Sequence, residues 1–337
     1  MATVEEKKMT QTEQESIVKV ENLKKYFPIK GGILKRTIGH VKAVDGVTFD
    51  IKQGETLGIV GESGSGKSTL GRVILKLLDS TEGNIFFEDQ DITKLNNKKM
   101  RPIRRDMQIV FQDPFASLNT KMSIEQLIEE PLLIQTDLSK DERKEKVNSL
   151  LKVVGLRPSD RLKYPHEFSG GQRQRISIAR ALAINPKFVI ADEAVSALDV
   201  SIQAQVLNLM ADLQEEFGLT YLFISHDLSV VKHISDRVGV MYLGRLVEIA
   251  PKKAIYEEPL HPYTQALLSS IPDTDVDRER EVIKLEGDLP SPSNPPSGCA
   301  FRTRCPMAHE RCAVERPELI HKGDGHYVAC HLYDDEA

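Results

Sequence analysis

Gly61-Glu-Ser-Gly-Ser-Gly-Lys-Ser-Thr69 follows the apolar run Thr56-Leu-Gly-Ile-Val60 and precedes Leu70, Val73, Ile74, Leu77 and Leu78, which recur at helical spacing. The run reads as a strand, and the spaced residues read as one buried face of a helix. A strand, a glycine-rich turn and a helix in that order aim backbone N–H groups and a positive helix end at one point, which suits a phosphate group. Gly61, Gly64 and Gly66 tolerate positive φ and let an anion approach the backbone closely. Lys67 is placed to reach the outer phosphates of a nucleoside triphosphate, and the Ser68 hydroxyl to coordinate Mg2+. A flexible Gly/Ser turn would share the composition, but it would not need the whole G-x-x-x-x-G-K-S pattern between strand and helix.

The rest of the chain sets bounds on what this loop can serve. With 337 residues there is room for a nucleotide-binding domain plus an extension. A hydrophobic fraction of 40% and a charged fraction of 28% indicate a soluble globular protein. The net charge of -5 gives no global reason to bind nucleic acid. The local basic cluster Lys98, Lys99, Arg101, Arg104 and Arg105 reads as a solvated face. No apolar run approaches the roughly 18 to 20 residues of a membrane-spanning helix. Met1 to Gln14 is polar and carries no secretory signal, so residues 1–16 are expected to be a mobile tail on a protein working in the cytoplasm. The four cysteines, Cys299, Cys305, Cys312 and Cys330, all fall in the last segment, which suggests a local site, and a reducing cytosol argues against disulfides.

From Ile17 to about Ala250 short apolar runs alternate with amphipathic stretches, the pattern of an α/β sheet covered by helices. Phe188-Val-Ile-Ala191 ends in Asp192-Glu193, and Tyr221-Leu-Phe-Ile-Ser225 ends in His226-Asp227. Both read as buried strands with polar residues at the edge where open α/β sheets hold ligands. Between them a helix is expected with Ile202, Val206, Leu209, Leu213 and Phe217 on one face, Ser201 near its start and Gly218 as its stop. After about Pro251 the prolines multiply, and Leu289 to Gly298 reads as an irregular exposed loop.

Triphosphate hydrolysis needs a phosphate cradle, a metal anchor and a group to orient water. Asp192 closes a buried strand and is placed in the Mg2+ shell, and Glu193 beside it is the natural general base. A carboxylate at a helix start would also be stabilised by the dipole, without chemistry. His226 becomes a γ-phosphate contact if the two strands are neighbours. Gln112, after Ile109-Val-Phe111, could reach the Mg2+ or the attacking water from a third strand end.

Taken together, residues 61 to 69, Gln112, Ser169-Gly-Gly-Gln172, Asp192-Glu193, Ser196-Ala-Leu-Asp199 and His226 resemble, in order and spacing, the nucleotide-binding subunit of an ABC transporter. The resemblance spans roughly residues 17–250 and implies a P-loop ATPase fold with a central sheet and a helical subdomain at about 100–185. It also implies that two such subunits pair head to tail around ATP and Mg2+. The phosphate side would comprise Gly61, Glu62, Ser63, Gly64, Ser65, Gly66, Lys67, Ser68 and Thr69. The other subunit would supply Ser169, Gly170, Gly171 and Gln172, with Asp199 coupling the two sites. Tyr26 matches the aromatic that stacks on adenine, with Phe27 as its rival.

Phe111-Gln-Asp-Pro-Phe-Ala-Ser-Leu-Asn119, Pro165-His-Glu-Phe-Ser-Gly-Gly-Gln-Arg-Gln-Arg175 and His261-Pro-Tyr-Thr-Gln-Ala-Leu-Leu268 are similar to the oligopeptide/dipeptide importer branch. Lys24-Lys-Tyr-Phe-Pro-Ile29 and the insert after it favour the F-type subunit. Thr120 and Ala194 stand where that branch commonly has proline, and Ala194 bears on the turn after Glu193. The resemblance makes residues 251–337 a small irregular extension in which four cysteines hold a [4Fe-4S] cluster. Zn2+ and unligated thiols remain as alternatives. It further implies a second, D-type ATPase subunit, two transmembrane permease subunits, contacted through the segment after Gln112 unless Phe115 and Leu118 there simply pack internally, and an extracytoplasmic peptide-binding protein. The expected place is the cytoplasmic face of the membrane, with no nucleic acid partner. Nickel, glutathione or sugar uptake, or a soluble ABC ATPase acting on nucleic acid or ribosomes, are the alternatives for the same motor.

Overall fold

The computed structural model describes residues 15–32, 35–113, 117–271 and 283–336. Residues 1–14 of the expected tail lie outside them. The chain opens with two long antiparallel strands, β1 (Ser16–Gly31) and β2 (Arg36–Lys52), followed by β3 (Thr56–Val60), the phosphate loop and α1 (Lys67–Ile74). Next come β4 (Glu82–Phe87), β5 (Gln90–Asp91), α2 (Asn97–Asp106) and β6 (Met107–Val110). Three helices then form a lobe: α3 (Ile124–Gln135), α4 (Lys140–Val153) and α5 (Gly170–Leu182). The chain returns to the sheet through β7 (Phe188–Asp192), α6 (Val200–Phe217), β8 (Thr220–Ile224), α7 (Leu228–Ile234), β9 (Arg237–Tyr242) and β10 (Arg245–Pro251). Beyond it lie α8 (Lys252–Glu257), α9 (Pro262–Ser269), α10 (Glu310–Val314), β11 (Ile320–His321) and β12 (Tyr327–Val328).

Two sheets result. One has the order β2-β1-β4-β5, the other β11-β12-β10-β9-β3-β8-β7-β6. From β9 to β6 the second sheet is parallel. Every residue of β3, β7 and β8 is buried, which explains their unbroken apolar sequence: helices or the other sheet cover both faces. One core joins the sheet to α1 and the antiparallel layer, and the other joins it to the helical lobe and the extension.

Three local expectations need correction. The α1 face comprises Leu70, Val73 and Ile74, whereas Leu77 is half exposed. Lys76 takes a left-handed φ of 54° and stops the helix. The Leu77 N–H bonds to Arg72 O at 2.9 Å and the Lys76 N–H to Val73 O at 3.0 Å, a Schellman ending built on lysine where glycine is usual. Helix α6 does end at Gly218, but Asp199 is its N-cap, and its buried face is Val206, Leu207, Met210 and Leu213. Ile202 and Leu209 are only half buried there, and Phe217 is exposed. The small irregular extension adds to the central sheet, because β12 pairs with β10. Lys98, Lys99, Arg101 and Arg105 on α2 are solvated, while Arg104 is half buried and caps Lys76 O at 3.3 Å.

Candidate active site

The phosphate loop is shaped by close backbone approach. Gly61 has φ 153° and Gly66 φ 102°; a Cβ on them would sit 2.1 Å from Met241 O and 2.0 Å from Ala43 O. No other residue fits there, which is the physical content of the glycines. Ser65 and Lys67 are buried, Ser63 and Gly64 are exposed, and Glu62, Ser68 and Thr69 lie between those extremes. Lys67 Nζ donates to Gly61 O at 2.8 Å, Glu62 O at 3.0 Å and Ser65 Oγ at 3.3 Å. Burial lowers its pKa, against the pull of Glu193, Asp192 and Glu62.

Strand order brings the other candidates to the same edge. β7 lies between β6 and β8, with Asp192 opposite Ile224 and Ala191 opposite Val110. The residues just past these ends, Gln112, Glu193 and His226, therefore share the carboxyl edge of the parallel strands. Gln112 Nε2 donates to Glu193 Oε2 at 2.8 Å, and His226 Nδ1 lies 3.3 Å from the same oxygen. Glu193 itself adopts φ 50°, unusual for a residue with a side chain. Its carbonyl accepts the Ser196 N–H and hydroxyl at 3.1 and 2.9 Å, which hold the turn that runs through Ala194.

Asp192 is buried, and burial raises its pKa, countered by the Ser68 hydroxyl and Arg72. Its Oδ1 has no hydrogen-bond partner. A buried, unpaired carboxylate oxygen next to a hydroxyl fits Mg2+, which takes one or two protein ligands beside substrate phosphates. Arg72, 3.7 Å from Asp192 Oδ2, is a contributor that the sequence did not single out.

Tyr26 pairs with Lys42 on β2, next to Ala43, whose carbonyl abuts Gly66, whereas Phe27 pairs with Val41 and points to the other face. The Tyr26 hydroxyl donates to Asp45 Oδ1 at 2.5 Å, and Asp45 also accepts from Arg245 at 2.7 and 2.9 Å. Burial and that carboxylate push the phenol up.

Ser169 is exposed and starts α5 with a capping box: its Oγ accepts the Gln172 N–H at 3.3 Å, and Gln172 Oε1 accepts the Ser169 N–H at 3.0 Å. Gly170 is half buried, Gly171 is buried and Asp199 is exposed. Leu118 is buried and packs internally, so it offers no partner surface; Phe115 lies outside the described residues.

The cysteines are all unbridged. The Cys299 N–H donates to Cys312 O at 2.9 Å. Burial raises the Cys299 and Cys305 thiols, and it pushes Cys330 up to about 12, with charge on Cys299, Cys305 and Cys312 adding to the effect. Four neighbouring thiols are a donor set suited to a thiophilic metal. Yet among the described residues no group of three or more His, Cys, Asp or Glu side chains is arranged to hold a metal ion. No helix among the described residues is long and apolar enough to cross a membrane.

Comparison with known proteins places this geometry. A sequence model described as ABC transporter matches residues 44–196, and one described as oligopeptide/dipeptide transporter, C-terminal region, matches residues 247–312. The chain is similar to the oligopeptide transport ATP-binding protein AppF of Bacillus subtilis (strain 168), at 60% identity over 96% of this chain and 100% of the relative. It is also similar to the dipeptide transport ATP-binding protein DppF of Escherichia coli (strain K12), at 52% identity over 96% and 97%. Among solved structures, cbiO1 from Clostridium perfringens superimposes with a TM-score of 0.63 at 31% identity, covering 73% of this chain and 92% of that one. The dimeric ATP-binding cassette MJ0796, bound to ADP and Pi in a post-hydrolysis state, does so with 0.62 at 31%, covering 70% and 98%. The chain, with its phosphate loop and the polar cluster on the same sheet edge, therefore belongs to the ATP-binding subunits of ABC transporters, in the oligopeptide/dipeptide branch.

Proposed function

We propose that this chain is the ATP-hydrolysing motor of an importer that moves oligopeptides or dipeptides across the cytoplasmic membrane. The observation that carries the reading is the meeting of Gln112 and His226 on one oxygen of Glu193, at the sheet edge that also bears the phosphate loop. Glu193 Oε2 is the acceptor for a proton of the attacking water. Gln112 holds that carboxylate in place, and His226 reaches the γ-phosphate. Lys67 and the N–H groups of the loop neutralise and orient the phosphates. Ser68 and Asp192, with Gln112 in reach, would hold Mg2+, which would supply further charge compensation to the phosphates.

Adenine stacks on Tyr26, whose hydroxyl is already held by Asp45 and so fixes the ring. The exposed Ser169 end of α5, with Gly170, Gly171 and Gln172, faces the triphosphate of a second cassette, a D-type relative, and Asp199 links the two sites. ATP thus joins the cassettes, and its hydrolysis releases them. Two membrane permease subunits receive the movement at the cytoplasmic face, and an extracytoplasmic binding protein delivers the peptide. The names and full-length match of the peptide-transport relatives support this substrate class.

The test of the motor is Glu193→Gln. It keeps ATP binding and loses on the order of 10²- to 10⁴-fold in turnover; near-normal turnover removes Glu193 from the mechanism. The test of the importer is purification of the native complex: permease and peptide-binding subunits are expected to co-elute, and a chain found only with ribosomes or nucleic acid overturns the reading. We also infer that the four cysteines hold a [4Fe-4S] cluster, with Zn2+ as the alternative occupant. Anaerobically purified protein is then brown, with the broad visible absorption of thiolate-bound iron-sulfur centres, and stoichiometric zinc without colour rules the cluster out.

A further inference from the structure

Glu62, the second residue of the phosphate loop, is gripped from the far end of the chain. Its carboxylate oxygens accept from Arg304 NH1 at 3.0 and 3.1 Å, and its backbone N–H donates to the Tyr263 hydroxyl at 3.0 Å. Tyr263 belongs to α9 and Arg304 to the segment between Cys299 and Cys305, so both come from the extension. Neither partner is loose. The Arg304 side chain is only 8% exposed, and its guanidinium lies 6.0 Å from the Tyr242 ring. Tyr242 in turn packs edge-on against Tyr263 at 4.7 Å and Phe301 at 5.3 Å, and all three rings are buried. A carboxylate in a loop built to receive a triphosphate repels that ligand unless a cation offsets it. The one cation paired with the Glu62 carboxylate among the described residues is Arg304, since Lys67 Nζ bonds only to its backbone carbonyl.

We propose that Arg304 and Tyr263 are positioning residues for ATP: the extension sets nucleotide affinity by neutralising Glu62 and fixing its peptide, so that the N–H groups of residues 63–68 converge on the phosphates. The inference rests on the reading of residues 61–69 as the phosphate site. Lys67→Ala gauges that reading separately, because parental ATP affinity in that variant would remove the phosphate site itself.

The experiment measures Mg2+-dependent binding of a methylanthraniloyl-ATP probe, ATPase kinetics and the thermal midpoint on the full chain. Arg304→Gln is expected to weaken probe binding about 10-fold, the scale of an unscreened charge near the ligand. KM rises with kcat at saturation unchanged, because the loss is in uniform binding. Adding Glu62→Gln to Arg304→Gln recovers most of the affinity, since the repelling charge is then gone. A merely structural role would lower the thermal midpoint without that rescue. Arg302→Gln, whose side chain among the described residues bonds only to Ser297 within the extension, binds as the parent does. Parental affinity in Arg304→Gln, or a double variant as weak as the single, overturns the proposal. Should Arg304→Gln not fold, Tyr263→Phe carries the test. It removes one acceptor and is expected to weaken binding about 3- to 10-fold, and parental affinity there also overturns the proposal.

Discussion

At the scale of single residues, the candidate chemistry centres on one carboxylate oxygen with two neighbours. Glu193 Oε2 has Gln112 at 2.8 Å and His226 at 3.3 Å, and the three arrive from three strand ends. Such a carboxylate is held in direction but stays accessible, since its side chain is 15% exposed and that of His226 is 54% exposed. Holding Glu193 at φ 50° costs on the order of 1 kcal/mol or more, offset by the two Ser196 bonds to its carbonyl. His226→Ala leaves this backbone untouched. It is expected to lower ATP turnover on the order of 10²-fold or more while probe affinity stays close to parental, because the phosphate loop is intact. Steady-state turnover beside equilibrium binding decides it: a variant that loses affinity and turnover in proportion would make His226 a binding group only.

At the scale of elements, helix α5, which Ser169 caps, is held by its second glycine. A Cβ on Gly171 would come 2.4 Å from Ile202 Cγ2, so α5 lies on α6 at a distance that only glycine permits. Ile202 cannot readily turn away, because a β-branched side chain in a helix keeps nearly one rotamer. Gly171→Ala is expected to cost about 1 to 3 kcal/mol, read as a lowered thermal midpoint. Ile202→Ala in the same chain should recover most of it. Additive losses would place the strain elsewhere. Elements of this kind were legible to different depths. The buried strands β3, β7 and β8 announce themselves as continuous apolar runs, and the phosphate loop by its glycines. The partnership of Glu193 and His226 was readable only on the condition that β7 and β8 be neighbours, which pairing supplies and composition does not. The end of α1 was hidden because Lys76 occupies a left-handed position that normally shows as glycine or asparagine. The buried face of α6 was misjudged by a fraction of a turn, since Leu207 and Met210 take the core side beside Val206 and Leu213.

At the scale of the whole molecule, the extension and the cassette form one folded body, and the joints are pairs far apart in sequence. Arg316 donates to Asp45 O at 2.7 Å, Arg304 reaches Glu62, and β12 extends the sheet through β10. Contacts across more than 200 residues leave no local pattern, so neither arginine could be read from the sequence. The joint around Glu248 makes a further prediction. Glu248 is fully buried and accepts the N–H groups of Leu260 and His261 at 2.7 and 3.0 Å, with His326 Nε2 at 2.7 Å. His261 Nδ1 accepts the Tyr263 N–H at 3.0 Å and caps α9, a role that requires an unprotonated nitrogen. Burial lowers the His261 pKa from 6.5 to about 4, against the opposing charge of Glu248. Between those values the unfolded chain binds the proton and the folded one does not. Stability contributed by neutral His261 is therefore present above pH ~6.5 and lost as pH falls toward ~4, amounting to roughly 3 kcal/mol. His261→Asn keeps an N-cap acceptor without a titrating group. Its unfolding free energy should fall less steeply than the parent's between pH 6.5 and 4, whatever its value at pH 7.5. Denaturant unfolding at a series of pH values measures the two slopes. Parallel curves would mean that His261 is protonated in the fold, and that the Tyr263 end of α9, with its grip on the phosphate loop, is held some other way.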